Sequence, residues 1–142
     1  MYRRVPPFSA QRLMLLAMVF GITMYAIAAG VVIHFNDGKG LVDRMDRTLV
    51  DLTTWIGGGA ALAALAARQL LQRSVAGLSG DEARMRHFQT RVVPIVILEG
   101  GALFALTIWM LSGKDVPPLA VAMVLLAIAI ANVPFRDPAE RA

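Results

Sequence analysis

The sequence predicts an all-α membrane protein, a four-transmembrane-helix bundle made of two helical hairpins with short amphipathic interfacial helices. Its 142 residues are 57% hydrophobic and only 17% charged, and the mean hydropathy is +0.61. The apolar residues form four long runs, and a run of about 20 such residues crosses the hydrocarbon core of a bilayer as a helix. We therefore expect one integral membrane domain over residues 1–142, with spans at about 13–35, 52–71, 92–111 and 117–134.

The first predicted span, residues 13–35, ends at a polar break that contains two glycines. Its apolar part is longer than the roughly 7 to 15 residues of a secretory signal, so we interpret it as an uncleaved anchor, with cleavage as the alternative. Ala17 with Gly21 is a pair of small residues that permits close helix contact. After the break, apolar residues at helical spacing over residues 41–52 predict a short amphipathic helix, lying on the membrane surface or continuing into the next span.

The second predicted span, residues 52–71, is rich in glycine and alanine at four-residue intervals. Small residues at this spacing let two membrane helices approach at backbone distance. Three consecutive glycines weaken a helix by roughly 1 kcal/mol each relative to alanine, and tight packing is the expected compensation. We assign as helix-packing residues of this span Gly57, Gly59, Ala63 and Ala67.

A basic loop joins the second and third predicted spans. Residues 79–82 of this loop form a capping-box pattern, which predicts a helix start. That helix either stops before the third span or runs into it and bends at Pro94. Pro117 and Pro118 open the fourth span, where a missing amide donor does no harm.

The distribution of basic residues predicts the orientation in the membrane. Four spans put both termini and the middle loop on one side, and this side holds ten of the 14 Lys and Arg residues. Cytoplasmic loops carry such an excess, so we expect an integral protein of the bacterial inner membrane with both termini in the cytoplasm. Anionic-lipid contact is a secondary role for the loop arginines. They flank apolar segments and form no continuous basic stripe, which argues against nucleic acid as a partner.

The third predicted span, residues 92–111, contains a single ionisable residue, Glu99. A charged side chain in the middle of a bilayer costs about 2.5 to 3.5 kcal/mol, so chains that keep one usually place it in a protein-lined site and use it. Apolar residues share its helix face, so no side chain of its own helix neutralises it. We therefore predict that Glu99 binds a proton or a cation and is protonated much of the time at neutral pH. Beside it, Gly100 and Gly101 are assigned to helix packing, and we expect the second span to approach there.

The run Glu99–Leu106, preceded by a Gly/Ala-rich span and an arginine-bearing loop, resembles the rotor-ring proteolipid, the c subunit of rotary ATP synthases. The similarity covers about residues 56–111. In that family an acidic residue in mid-membrane carries the proton or sodium ion, and a small-residue helix lines the inside of a ring. The resemblance implies the first role for Glu99 and the second for residues 57–67. The chain differs from the family in its consecutive glycines, its longer loop and two additional flanking spans.

Two functional hypotheses remain open. The chain has no cysteine, no histidine and glutamate at metal-site spacing and no Ser/His/Asp set that can converge, so we predict no enzymatic activity, no cofactor and no metal. In the first hypothesis an oligomeric bundle in the lipid bilayer binds an ion at Glu99. In the second, an accessory or scaffold subunit packs against a larger membrane complex, and Glu99 is a protonated hydrogen-bond donor. Small transporters and lipid-interacting proteins are the remaining functional classes that fit the sequence.

Overall fold

The described part of the chain folds into helices joined by short connections and contains no strand. The computed structural model describes residues 8–42, 44–75, 77–78 and 80–133. Its elements are α1 (Phe8–Phe35), α2 (Arg47–Val75), α3 (Gly80–Ser112) and, after a π-helical turn at Asp115–Leu119, α4 (Ala120–Ala131). The all-α prediction is confirmed.

Three of these helices are long and apolar enough to cross a membrane, namely α1, α2 and α3. The fourth apolar segment, Asp115–Ala131, is shorter. Its 17 residues correspond to about 25 Å of helix, compared with about 30 Å for the hydrocarbon core of a bilayer. The membrane-spanning length of the first three predicted segments is therefore confirmed.

Helix α3 occupies the centre of the bundle and contacts α1, α2 and α4. It carries Leu98, Ala102 and Leu106, which are almost completely buried. In contrast, α1 and α2 do not contact each other within the described residues, while α1 packs on α3 and α4. The predicted first hairpin, in which α1 pairs with α2, is therefore wrong, and α3 lies between the two.

The connection between α1 and α2 explains this order because it crosses the end of α3. The N–H groups of Leu41 and Val42 donate to the carbonyls of Met110 (3.2 Å) and Leu111 (2.9 Å). A Cβ on Gly40 would collide with the backbone of Leu111 and its neighbours, so only glycine permits this approach. The chain thus leaves α1 on one side of α3 and begins α2 on the other.

The same contacts overturn the amphipathic helix predicted over residues 41–52. Its first half is not helical among the described residues, because its backbone N–H groups are bonded to α3. Helix α2 begins only at Arg47, after Asp46 has accepted a hydrogen bond from the N–H of Thr48 (2.9 Å) in the manner of an N-cap. The second half of the predicted helix is therefore the first turn of α2.

Helix α3 is continuous from the basic loop through Pro94 to Ser112. The predicted continuation of this helix into the third span is therefore confirmed, whereas the bend at Pro94 stays a prediction, and Ser79 of the predicted capping box lies outside the described residues. Proline in a helix interior removes the amide that would bond the carbonyl four residues earlier, here that of Thr90.

Large apolar side chains cover the outside of the bundle. Such an exposed apolar surface is far larger than soluble monomers tolerate and is suited to hydrocarbon. The exposed side chains on α1 and α2 include Leu13, Met14, Phe20, Met24, Ile27, Trp55, Leu62, Leu65 and Leu70.

Candidate ion-binding site

Glu99 lies deep in the apolar part of α3. It lies eight positions after Arg91, the last charged residue before the apolar run, which corresponds to about 12 Å of helix rise. Its side chain is half-buried and directed at α1, where Oε1 lies 4.0 Å from the position that a Cβ on Gly21 would take. A glycine of the first helix thus makes room for the carboxyl group.

The sequence predicts that the second span lies next to Glu99, but in the structure α2 contacts a different side of α3. Helix α2 approaches α3 at Gly101, where an added Cβ would lie 2.8 Å from Cβ of Ala60 and 3.1 Å from Cδ1 of Leu125. Two residues along an α-helix turn the side-chain direction by about 200°. Glu99 and Gly101 therefore face opposite sides of α3, and α1 is the helix at the carboxyl group.

A hydrogen bond joins α1 to α3 nearer their C-terminal ends. The hydroxyls of Tyr25 and Thr107 lie 2.9 Å apart, and the Thr107 hydroxyl donates its proton to the carbonyl of Leu103 (2.8 Å). Tyr25 is therefore the donor in the bond between the two hydroxyls. We call the surface formed by Gly21, Tyr25, Glu99 and Thr107 the α1–α3 seam.

The carboxyl group of Glu99 is unpartnered in this seam. No described residue forms a hydrogen bond or an ion pair with it. The neighbouring positions on its own helix are apolar, with Ile95 and Ala102 fully buried. The described residues contain no group of three or more His, Cys, Asp or Glu side chains that could hold a metal ion. Glu99 is thus a single carboxyl group that has no counter-charge among the residues described by the structure.

The small residues of α2 divide between an inner and an outer face. Gly57 is buried, and a Cβ there would collide with the side chain of Val121. By contrast, Gly59 and Ala63 are exposed, and a Cβ on Gly59 would meet nothing within 4 Å. Ala67 is half-buried. The predicted stripe therefore does not act as one packing surface inside the chain.

The glycines beside Glu99 divide in the same way. Gly101 is buried against α2 and α4, as described above, whereas a Cβ on Gly100 would meet nothing within 4 Å. Sequence reasoning missed Tyr25 as the partner of Thr107 and Gly21 as the neighbour of Glu99. The available signal was their four-residue spacing, which puts a glycine and the only tyrosine of an apolar helix on one face.

Comparison with family models, curated proteins and solved structures found no match to this chain. The resemblance to the rotor-ring proteolipid therefore stays a prediction from the residues that carry it.

Proposed function

We propose that this chain is a non-enzymatic multi-pass membrane protein in which Glu99 binds and releases a proton within the α1–α3 seam. The supporting observation is a half-buried carboxyl group between two membrane-length helices, facing Gly21 and without a partner among the described residues. An unpaired charge is expensive at this depth, whereas a proton neutralises it. A site that opens to water can then exchange that proton.

A proton suits this site better than a metal cation. Calcium takes six to eight oxygen ligands, and magnesium requires near-octahedral coordination. The seam offers one carboxyl group, while the hydroxyls of Tyr25 and Thr107 are bonded to each other. A small monovalent cation is the second occupant to test.

We further propose four membrane spans with both termini in the cytoplasm, as in a bacterial inner-membrane protein. The segment Asp115–Ala131 is short, but membranes adapt to a short span by local thinning at modest free-energy cost. Its exposed side chains include the large apolar residues Val116, Met123, Val124 and Ile130, which suit lipid.

We also propose that copies of the chain associate with one another through α2. Gly59 and Ala63 are exposed one turn apart on the outer face of α2, and small residues at this spacing permit close helix contact. The resemblance to the rotor-ring proteolipid, in which a small-residue helix lines a ring, is consistent with contacts between copies on this face.

The same exposed face favours a second candidate function, an accessory or scaffold subunit of a larger membrane complex. In that case Glu99 is structural, so Glu99→Gln is silent and Gly59→Leu or Ala63→Leu breaks assembly. The mass of the particle in mild detergent separates the two candidates. A closed homo-oligomer supports the ion-binding bundle, and co-purification with a larger complex supports the subunit.

Proton uptake into proteoliposomes under an imposed pH gradient tests the first proposal. We expect Glu99→Gln to reduce uptake to the level of empty liposomes without changing the thermal midpoint. The matched control is Glu82→Gln, because Glu82 lies on the same helix but is exposed near its start. Undiminished uptake by the Glu99→Gln protein refutes the proposal.

A further inference from the structure

A groove opens between α2, α3 and α4 at the arginine-rich end of the bundle, away from Glu99. Its volume is about 280 Å³. Small side chains on α2 leave this space, and Leu65, which is 53% exposed, forms its open edge. The apolar lining consists of Ala61, Ala64, Leu65, Pro94, Leu98 and Ile128. We call this space the basal groove.

One end of the basal groove is polar and positively charged. Arg68 and Asn132 line it, and Nη1 of Arg68 donates a hydrogen bond to Oδ1 of Asn132 (2.7 Å) from α2 to α4. Arg91 of α3 lies close enough to Arg68 for their charges to repel one another. No acidic side chain among the described residues forms an ion pair with either arginine. The two positive charges thus lie near each other, and neither is offset by an ion pair with a described residue.

The polar end of the basal groove lies where the uncharged parts of α2 and α3 end. The uncharged part of α2 that precedes Arg68 runs over residues 52–67 and is about 24 Å long, most of the roughly 30 Å thickness of the hydrocarbon core. Arg68 therefore lies at the level of the lipid headgroups, as does Arg91 at the start of the apolar run of α3. The apolar lining lies at the level of the acyl chains.

We propose that the basal groove binds one anionic phospholipid, with the phosphate between Arg68 and Arg91 and an acyl chain along the apolar lining. Arginine binds phosphate through two parallel, charge-assisted hydrogen bonds, and a phosphate between the two side chains offsets their repulsion. The groove has an apolar lining and an open edge at Leu65, so a hydrocarbon chain is the fitting occupant. Basic pockets between helices on the cytoplasmic side are typical sites for such headgroups.

The charge pattern selects an anionic lipid over a zwitterionic one. A choline headgroup would bring a third positive charge to two arginines that form no ion pair with a described residue, whereas a glycerol headgroup would not. The site also does not depend on Glu99, because it lies on another face of α3.

Native mass spectrometry and thermal unfolding of the full chain in mild neutral detergent test this site. The probes are phosphatidylglycerol and phosphatidylcholine with identical acyl chains. We expect one-to-one adducts and a raised thermal midpoint with phosphatidylglycerol only. The double variant Arg68→Gln/Arg91→Gln should bind it at least about tenfold more weakly, since each surface arginine contributes roughly a factor of five. The matched control, Arg73→Gln/Arg86→Gln, removes the same charge from exposed positions outside the groove and should bind normally.

Two further arms keep the proposal falsifiable if the double variant does not fold. Ala61→Leu fills the groove while keeping both arginines, and it should weaken phosphatidylglycerol binding, whereas Ala66→Leu on the exposed side of α2 should not. Glycerol 3-phosphate, which has the headgroup chemistry without acyl chains, should not stabilise the wild-type chain. Equal binding of both lipids, normal binding by Ala61→Leu, or stabilisation by glycerol 3-phosphate as large as that by the lipid would overturn the proposal.

Discussion

Replacing Gly101 by alanine tests whether α2 and α3 meet at backbone distance on the side of α3 opposite Glu99. The new Cβ would lie 2.8 Å from Cβ of Ala60 and 3.1 Å from Cδ1 of Leu125. The leucine methyl can rotate away. The Cβ of Ala60 is attached to the backbone, so relief there requires the two helices to separate.

The structure provides an internal reference for the magnitude of this effect. Alanine in place of glycine favours a helix by up to about 1 kcal/mol, and this gain applies equally to Gly100 and Gly101. An added methyl group in a tightly packed contact typically costs about 1 to 3 kcal/mol. Since a Cβ on Gly100 meets nothing within 4 Å, the difference between the two variants isolates the overlap. We expect Gly101→Ala to be about 1 to 3 kcal/mol less stable than Gly100→Ala.

The free energy of unfolding is measured by titration with a denaturing detergent in mixed micelles. Gly100→Ala should be as stable as the wild-type chain or more stable. If Gly101→Ala equals or exceeds Gly100→Ala in stability, α2 does not contact α3 at this point, and the central position of α3 is wrong.

Two further contacts give predictions of their own. Tyr25→Phe and Thr107→Val should each destabilise the bundle, and a double-mutant cycle should give a coupling of about 0.6 kcal/mol, typical of hydrogen bonds between membrane helices; additive effects would show that the bond does not form. At the start of α2, the hydrogen bond from the Thr48 N–H lowers the pKa of Asp46. The stabilisation by this hydrogen bond is therefore complete above the unfolded-state pKa of about 4, and it is lost as the pH falls through the lower folded-state pKa. Hydrogen exchange of the first α2 amides should accelerate in Asp46→Ala at neutral pH but not in Asp46→Asn, which still caps the helix; equal protection in all three proteins would exclude the cap.

The sequence predicted the helices and the ionisable residue because both follow from local composition. Hydropathy sets the length of a span, and a lone carboxylate in an apolar run is visible without coordinates. It did not predict which helix meets Glu99. That neighbour depends on the backbone contact at Gly40, which carries the chain across the end of α3, and no periodicity reports such a contact.

The sequence also did not predict which face of α2 packs against the other helices. Several rows of small residues recur at four-residue intervals on this helix, and each permits close approach equally well. The choice is made by the partners, because Gly101 meets Ala60 and Val121 meets Gly57. Gly59 and Ala63, on another row, are left on the outside.

Labelling with a hydrophobic carbodiimide tests the role of Glu99 most directly, because this reagent enters the membrane and modifies protonated carboxyl groups. In proteoliposomes we predict modification of the peptide that contains Glu99, less at higher pH and absent in Glu99→Gln. A water-soluble carbodiimide should label exposed carboxylates such as Glu82 and leave Glu99 unmodified. Failure of the hydrophobic reagent to label Glu99 at any pH, or labelling of Glu99 by the water-soluble reagent, would contradict a proton-binding site inside the membrane.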